Sequence, residues 1–230
     1  MQREQRDGWL LRATPGLDRG RSNHALTPCR PLAEREVGPA IDRVCAFAAQ
    51  HGIRPGIQVS PLELHDRLNT ALDQREWEGQ WPTVVLTGPT SVRRRERGRD
   101  LTATDHATDA WLRAWERCEP GRDVEAHAAT VFAALRGQAR FARLGTEAVA
   151  IAVPWQHRVG MFCLAVDPAQ RRGGLATVLV SELLAGFPAA DRAYLQVEER
   201  NDAARRFYER LGFTEAYRYS HRVQSDRRGA

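Results

Sequence analysis

The sequence predicts an α/β fold on three observations. Helix-period and strand-period apolar patterns follow one another along its 230 residues. One run, Val159–Val166, is apolar on both alternating faces, as a central strand buried on both sides would be. No internal repeat or bundle pattern competes with this alternation.

The elements justify this in order. Gly8–Ala13 and Arg21–Leu26 read as strands. Ala33–His51 is helical, with Val37, Ile41, Val44, Cys45 and Ala48 on one stripe, and Gly52 closes it. Ser60-Pro61-Leu62-Glu63 has capping-box spacing with proline at the first helical position. Thr83–Thr87 is a strand ending at the Gly88-Pro89 turn. Turn formers then lead into Arg93, Arg94, Arg95, Arg97 and Arg99, a pattern of exposed connector over 89–104. The chain is thereby divided into an N-terminal α/β half, 1–88, and a C-terminal domain, 105–230. The arginine run has no interleaved aromatics, so nucleic acid is not the expected partner.

Beyond the connector, Thr104 or Asp105 caps a helix carrying Ala107, Trp111, Leu112 and Trp115. A second helix covers Val124–Leu135, and Gly137 interrupts it. Strands follow at Arg140–Leu144, Glu147–Val153 and Val159–Val166. Strict alternation in the last puts Met161, Cys163 and Ala165 on one face and Phe162, Leu164 and Val166 on the other. A helix over 175–187, a strand Ala193–Glu198, a helix Asp202–Leu211 and a strand Phe213–Val223 complete the chain.

Composition narrows the chemistry. All 34 basic residues are arginine, and against 29 acidic residues they leave a net charge of +5. The absence of lysine excludes Schiff-base and lysine-nucleophile mechanisms. A 42% apolar fraction supports a packed core. No apolar run approaches the roughly 18 residues of a membrane span, and Met1–Asp7 mixes charges without a signal-peptide segment. Cys29, Cys45, Cys118 and Cys163 form no C-x-x-C pair, so reduced, mostly buried thiols and no metal site are expected. The chain reads as a soluble cytoplasmic protein.

The most informative segment runs from Val166 to Thr177. It places a buried strand, a proline turn, Arg171, Arg172, Gly173 and Gly174 directly at a helix start. Unpaired N–H groups and the positive end of a helix make such a turn an anion site, and glycine permits close backbone approach. The segment is neither G-x-G-x-x-G nor a Walker loop. An ordinary strand-to-helix turn is the competing reading.

R-x-x-G-x-A at Arg171, Gly174 and Ala176, behind Leu164-Ala165-Val166-Asp167-Pro168, resembles the acetyl-CoA pyrophosphate motif of the GNAT N-acetyltransferase superfamily. A second signature follows about thirty residues on: Leu195-Gln196-Val197, Asn201, Ala204, Phe207-Tyr208 and Leu211-Gly212-Phe213. The resemblance covers roughly Leu101 to Val223. Ile41 through Gly52, followed by a strand, echoes the second motif, so the N-terminal half resembles the degenerate GNAT-like half of actinobacterial members.

The resemblance implies a mixed, mostly antiparallel sheet with a splayed central strand pair, flanked by helices. It implies acetyl-CoA as cosubstrate, with the pantetheine arm along Leu164 and Val166 and the diphosphate on Arg171, Arg172, Gly173, Gly174, Leu175, Ala176 and Thr177. Asn201 would lie near the cofactor arm or cap the next helix, and Tyr208 would be the general acid. The motif position that carries a glutamate in ribosomal-protein acetyltransferases is Gln196 here, leaving Glu198 as the nearest base. The implied activity is N-acetylation of a primary amine by direct attack, the acceptor being a small molecule. The alternative is a degenerate module that binds acyl-CoA without turnover. A homodimer is compatible with this pattern. The N-terminal half is expected to serve the acceptor, with Arg21 and Asn23 as its candidate contacts.

Overall fold

The computed structural model describes residues 2–17, 19–92 and 101–225. Along the chain its elements are β1 (Gln2–Arg6), β2 (Trp9–Ala13), α1 (Gly20–Asn23), β3 (Ala25–Leu26), α2 (Glu34–Gln50), β4 (Gly56–Val59), α3 (Asp66–Gln74) and β5 (Glu78–Gly88). They continue as β6 (Leu101–Thr104), α4 (Asp109–Cys118), α5 (Val124–His127), β7 (Arg140–Leu144), β8 (Ala148–Trp155) and β9 (Arg158–Val166). Last come α6 (Leu175–Ala185), β10 (Arg192–Glu198), α7 (Asp202–Arg210) and β11 (Thr214–Val223). The chain groups into two compact units. The first comprises Met1–Val85, Val197–Asp202 and Ala216–Ala230; the second comprises Leu86–Gln196 and Ala203–Glu215. The arginine run 93–99 lies outside the described residues.

In the first unit the strand order is β1-β2-β3-β4-β11-β5, with β3 and β4 parallel and the pairs β1–β2, β2–β3 and β4–β11 antiparallel. Helix α2 forms because Val37, Ala40, Ile41, Val44, Phe47 and Ala48 recur on one face, which is buried. Its start is closed by Glu36, whose carboxylate accepts from the Ala33 N–H at 2.7 Å, and Gly52 ends it at φ +62°. The stripe packs with Trp9, Leu11, Ile57, Val59, Leu68 and Leu72 into one core.

Two expectations fail here for local reasons. Arg21–Leu26 is not one strand: Gly20–Asn23 is a helical turn and only Ala25–Leu26 pairs. Asn23 closes that loop, accepting from the Thr14 N–H at 2.7 Å and donating to the Leu17 carbonyl at 2.6 Å. Ser60 does not cap a helix. Its N–H donates to the Thr27 hydroxyl, which donates in turn to the Ser60 carbonyl, both at 2.9 Å. Leu62–Leu64 is a 3-10 turn, and α3 begins only at Asp66.

In the second unit the order is β10-β9-β8-β7-β6, antiparallel except between β9 and β10. Leu101–Thr104, expected within the connector, is strand β6 on the edge of β7. Neither Thr104 nor Asp105 caps α4. The Thr104 hydroxyl donates to the His106 carbonyl, Asp105 holds the His106 ring, and Thr108 accepts the Trp111 N–H as the cap. The helix from Val124 continues past His127 as a π turn, Ala128–Phe132. Among the cysteines only Cys118 is buried and Cys29 is exposed, because Cys29 sits in the loop before α2 rather than on a packed face.

Trp111 anchors the core under α4. Its ring meets Phe132 and Phe141 edge-on at 5.2 Å each, and its indole N–H donates to the Ala142 carbonyl at 3.0 Å. Trp111→Ala is expected to lower the unfolding free energy by about 3–5 kcal/mol, read from the urea midpoint. Trp111→Phe keeps most of the packing and should lose only a fraction of that.

Candidate active site

Strand β9 departs from strict alternation at one place. Ile151 pairs with Phe162 and Val149 with Ala165, so Cys163 and Leu164 together face Ala150. Cys163 absorbs this bulge at φ +51°, a conformation that a non-glycine residue seldom adopts. The expected face assignment is thereby corrected. Phe162 and Ala165 both join the α4-side core with Val149, Ile151 and Cys163, while Met161 and Val166 pair with Ala152 and Ala148. On its other side β9 runs parallel to β10 from Arg158–Arg192 to Met161–Leu195, and it continues five residues further to Val166. The strand's half-buried end, Leu164 and Val166, therefore extends beyond that ladder.

The chain then turns sharply. Asp167 is buried, its carboxylate accepting from the Ala169 N–H at 2.9 Å and from Arg117 Nε at 2.6 Å. The Arg117 bond, followed by the Ala169 N–H, holds the Asp167 carboxyl below its ordinary range. Arg171 folds back, donating from Nε to the Val166 carbonyl at 3.2 Å. Arg172 has φ +63°, and Gly174 starts α6 from the left-handed region at φ +81°. No side chain caps that helix start, so its first-turn N–H groups are left to solvent or to a ligand. Arg171, Arg172 and Gly173 are exposed there, whereas Leu175 is buried and Ala176 and Thr177 are half-buried.

Tyr208 lies buried in α7, with the rings of Phe207 and Phe213 at 4.9 and 5.7 Å. Burial alone pushes its phenol above the ordinary tyrosine value, so it stays protonated at neutral pH. The remaining candidates belong to the first unit. Glu198 is part-exposed and ion-paired with Arg200 Nε at 2.8 Å. Glu199 pairs with Arg218. Asn201 directly precedes α7, its N–H donating to the Glu198 carbonyl at 2.9 Å. Arg21 donates from Nε to the Tyr219 hydroxyl at 3.0 Å, and Asn23 is used within its own loop.

The first unit also holds a polar cluster that no sequence motif announces. His24 and His221 are both buried with their Nδ1 atoms 2.8 Å apart, and Trp81 stands beside both rings. These residues lie far apart in the chain, so no spacing rule links them. Among the described residues no group of His, Cys, Asp and Glu could hold a metal, and no helix is long and apolar enough to cross a membrane.

A mostly antiparallel sheet flanked by helices, with a bulged β9 leading into an uncapped, glycine-started helix, defines a GNAT acetyltransferase architecture. The chain belongs to that superfamily: residues 1–222 match the family described as "Probable histone acetyltransferase Rv0428c C-terminal". The structure is similar to a GCN5-related N-acetyltransferase from Kribbella flavida, at 16% identity and TM-score 0.70 over 100% of this chain and 90% of that one. It is also similar to a functionally unknown conserved protein from Staphylococcus epidermidis, at 10% identity and TM-score 0.72 over 97% and 93% of the two chains. A GCN5-related N-acetyltransferase from Sphaerobacter thermophilus matches at 16% identity and TM-score 0.58, over 87% and 71%. At these identities the likeness concerns the fold. No curated protein matches the sequence.

The Asp167 pin gives a pH prediction. Its pKa is depressed in the fold, so its contribution to stability is present above the unfolded value and is lost as pH falls through the folded one. Asp167→Asn keeps a cap acceptor but removes the charge facing Arg117. Urea midpoints of the variant should fall less steeply than the parent's below about pH 4. Parallel acid limbs would contradict this.

Proposed function

We propose that the second unit binds acetyl-CoA and that the protein transfers the acetyl group to a primary amine on a small molecule by direct attack. The observation that carries this reading is the uncapped start of α6 at left-handed Gly174, immediately behind the bulged end of β9. A diphosphate needs outward N–H groups, close backbone approach and fixed positive charge. The first-turn amides, Gly173 and Gly174, and exposed Arg171 and Arg172 meet those needs. Leu164 and Val166 extend past the β10 ladder, which leaves strand edge for an amide-bearing arm to pair with.

The bound thioester supplies an activated acyl carbon. Attack by a neutral amine expels a thiolate, which must gain a proton. Tyr208 is the proposed donor: its phenol is protonated at neutral pH, and the burial that raises its pKa makes it a weak acid that must be held close to the thiolate. The backbone N–H near Val166 is the proposed donor to the tetrahedral oxyanion. Glu198 is the proposed base for the acceptor ammonium, and to act it must leave Arg200. Asn201 orders the turn between β10 and α7. The family description names a histone, a basic protein. Against such an acceptor a chain of net charge +5 exerts like-sign repulsion, which favours a small amine.

Two variants test the reading. Gly174→Val places a β-branched residue at φ +81° and blocks backbone approach, so acetyl-CoA affinity by calorimetry should fall at least about tenfold with the circular dichroism spectrum retained. Tyr208→Phe should leave that affinity near the parent's, while turnover of the best amine falls at least about tenfold. Binding of acetyl-CoA without thiol release from any amine would select the degenerate binding module instead.

A further inference from the structure

The first unit gathers two guanidiniums, two imidazoles, a phenol and an indole around one surface. Arg12 points inward, its Nε and Nη2 donating to the His24 carbonyl at 2.9 and 2.7 Å and its Nη2 to Gln58 Oε1 at 3.0 Å. All these partners are neutral. Burial pushes the Arg12 guanidinium down to about 10, so it remains charged. Half-buried Arg21 is likewise satisfied by a neutral group, the Tyr219 hydroxyl. Among the described residues neither arginine has a carboxylate within ion-pair distance. Exposed Arg171 also donates to a carbonyl, whereas Arg30, Arg43, Arg75, Arg117, Arg122, Arg200 and Arg218 each have a carboxylate. A buried or half-buried cation without a counter-ion is costly unless an anion arrives from outside.

The same surface carries backbone strain. Trp81 adopts φ +47°, a conformation that an aromatic residue adopts only when its surroundings enforce it, yet 44% of the residue is exposed. Its carbonyl accepts from the Thr83 hydroxyl, fixing the turn. The indole lies near-parallel to His24 at 6.2 Å and edge-on to His221 at 5.5 Å. Gly20 admits this stack: a Cβ there would stand 3.0 Å from the His24 ring and 3.1 Å from Trp81. A planar, partly open indole in a cluster whose guanidiniums are met only by neutral groups suits something flat and negatively charged.

We propose that this surface of the first unit binds a small-molecule oxyanion, a carboxylate or phosphate, with Arg21 as its direct partner and Trp81 as the face against which the rest of the molecule lies. Arg12 supplies fixed charge behind the surface. The histidine pair shares one proton across 2.8 Å, so one ring has its free Nε2 as acceptor and the other as donor. Burial holds both imidazoles well below their ordinary range, followed by Arg12 and Arg54 for His24 and by His24, Arg21 and Arg12 for His221. The groups facing them are Arg12 from β2, Arg21 from α1, Arg54 from the loop before β4, and Tyr219 from β11; none is acidic. An anion entering there raises the imidazole pKa values, so its binding takes up protons in mildly acidic buffer.

The test is calorimetry on the full chain at pH 5, with sodium benzoate, inorganic phosphate and neutral benzamide as probes, in two buffers of different ionisation heat. Saturable binding of benzoate or phosphate, accompanied by proton uptake, is expected. Tighter benzoate identifies a carboxylate and tighter phosphate a phosphate. Arg21→Gln should weaken that binding at least about tenfold, whereas Tyr219→Phe, which keeps the guanidinium, should change it by less than about threefold. Acetyl-CoA affinity should be the same in Arg21→Gln as in the parent. The proposal is overturned if neither anion binds, if benzamide binds as well as benzoate, or if Arg21→Gln binds both anions like the parent. It is equally overturned if Arg21→Gln loses acetyl-CoA, since the anion would then be the cosubstrate's own phosphate. None of these readouts requires turnover, so failure of the acetyltransferase reading is separable from failure of this one.

Discussion

Two residues of β9, Cys163 and Leu164, stand opposite one residue of β8, and the second unit's candidate site depends on that surplus. Before the bulge β9 is an ordinary inner strand, laddered to β8 on one side and to β10 on the other. After it, Ala165 has regained the α4-side core while Val166 turns to the face of Ala148. Without the extra residue the strand would deliver Ala165 and Val166 with their faces exchanged. Asp167 would then lose its approach to Arg117 and Ala169, which together fix the turn into α6. A strained cysteine at φ +51° is tolerated because the cores on both sides over-determine it.

The lower part of this hierarchy was legible in the sequence. The bounds of β7 were read directly, and the strand-turn-helix from Val166 to Leu175 was recognised from its glycines and arginines. Periodicity works there because each segment packs locally against a sheet or a helix. It fails where a distant side chain decides the outcome. Thr27 holds both backbone polar groups of Ser60, so a good capping sequence becomes a 3-10 turn. The bulge at Cys163 leaves no compositional trace, since both neighbouring residues are apolar in either register. The pair His24 and His221, 197 positions apart, is set by β2, β3, β4 and β11 lying side by side. No local pattern encodes such a neighbourhood.

The charge inventory separates the two kinds of chemistry in the chain. Arginine cannot lose its proton at working pH, so every basic residue here is a fixed cation suited to holding anions rather than moving protons. Other titratable groups have their protonation state set by their surroundings. Tyr208 is kept protonated by burial, and the His24–His221 pair is kept neutral by burial and by the arginines around it. These shifts run in opposite chemical senses from a common cause: each environment disfavours the charged form.

An arginine-biased genome accounts for the missing lysine, yet under the proposed acetyl-CoA reading the bias has a chemical consequence. An enzyme that holds an activated acetyl thioester exposes its own amines to the same electrophile that it offers to its acceptor. A guanidinium is protonated and delocalised, and is a poor nucleophile where a lysine amine is a good one. A chain whose 34 cations are all arginine presents the positive charge needed to hold a diphosphate or a carboxylate, yet offers no side-chain amine to be acetylated. Substituting lysine for Arg171 or Arg172 would preserve the charge while placing a reactive amine within the candidate site. Under the proposed reading, recognition by arginine alone would keep the binding of anions chemically independent of the transfer reaction.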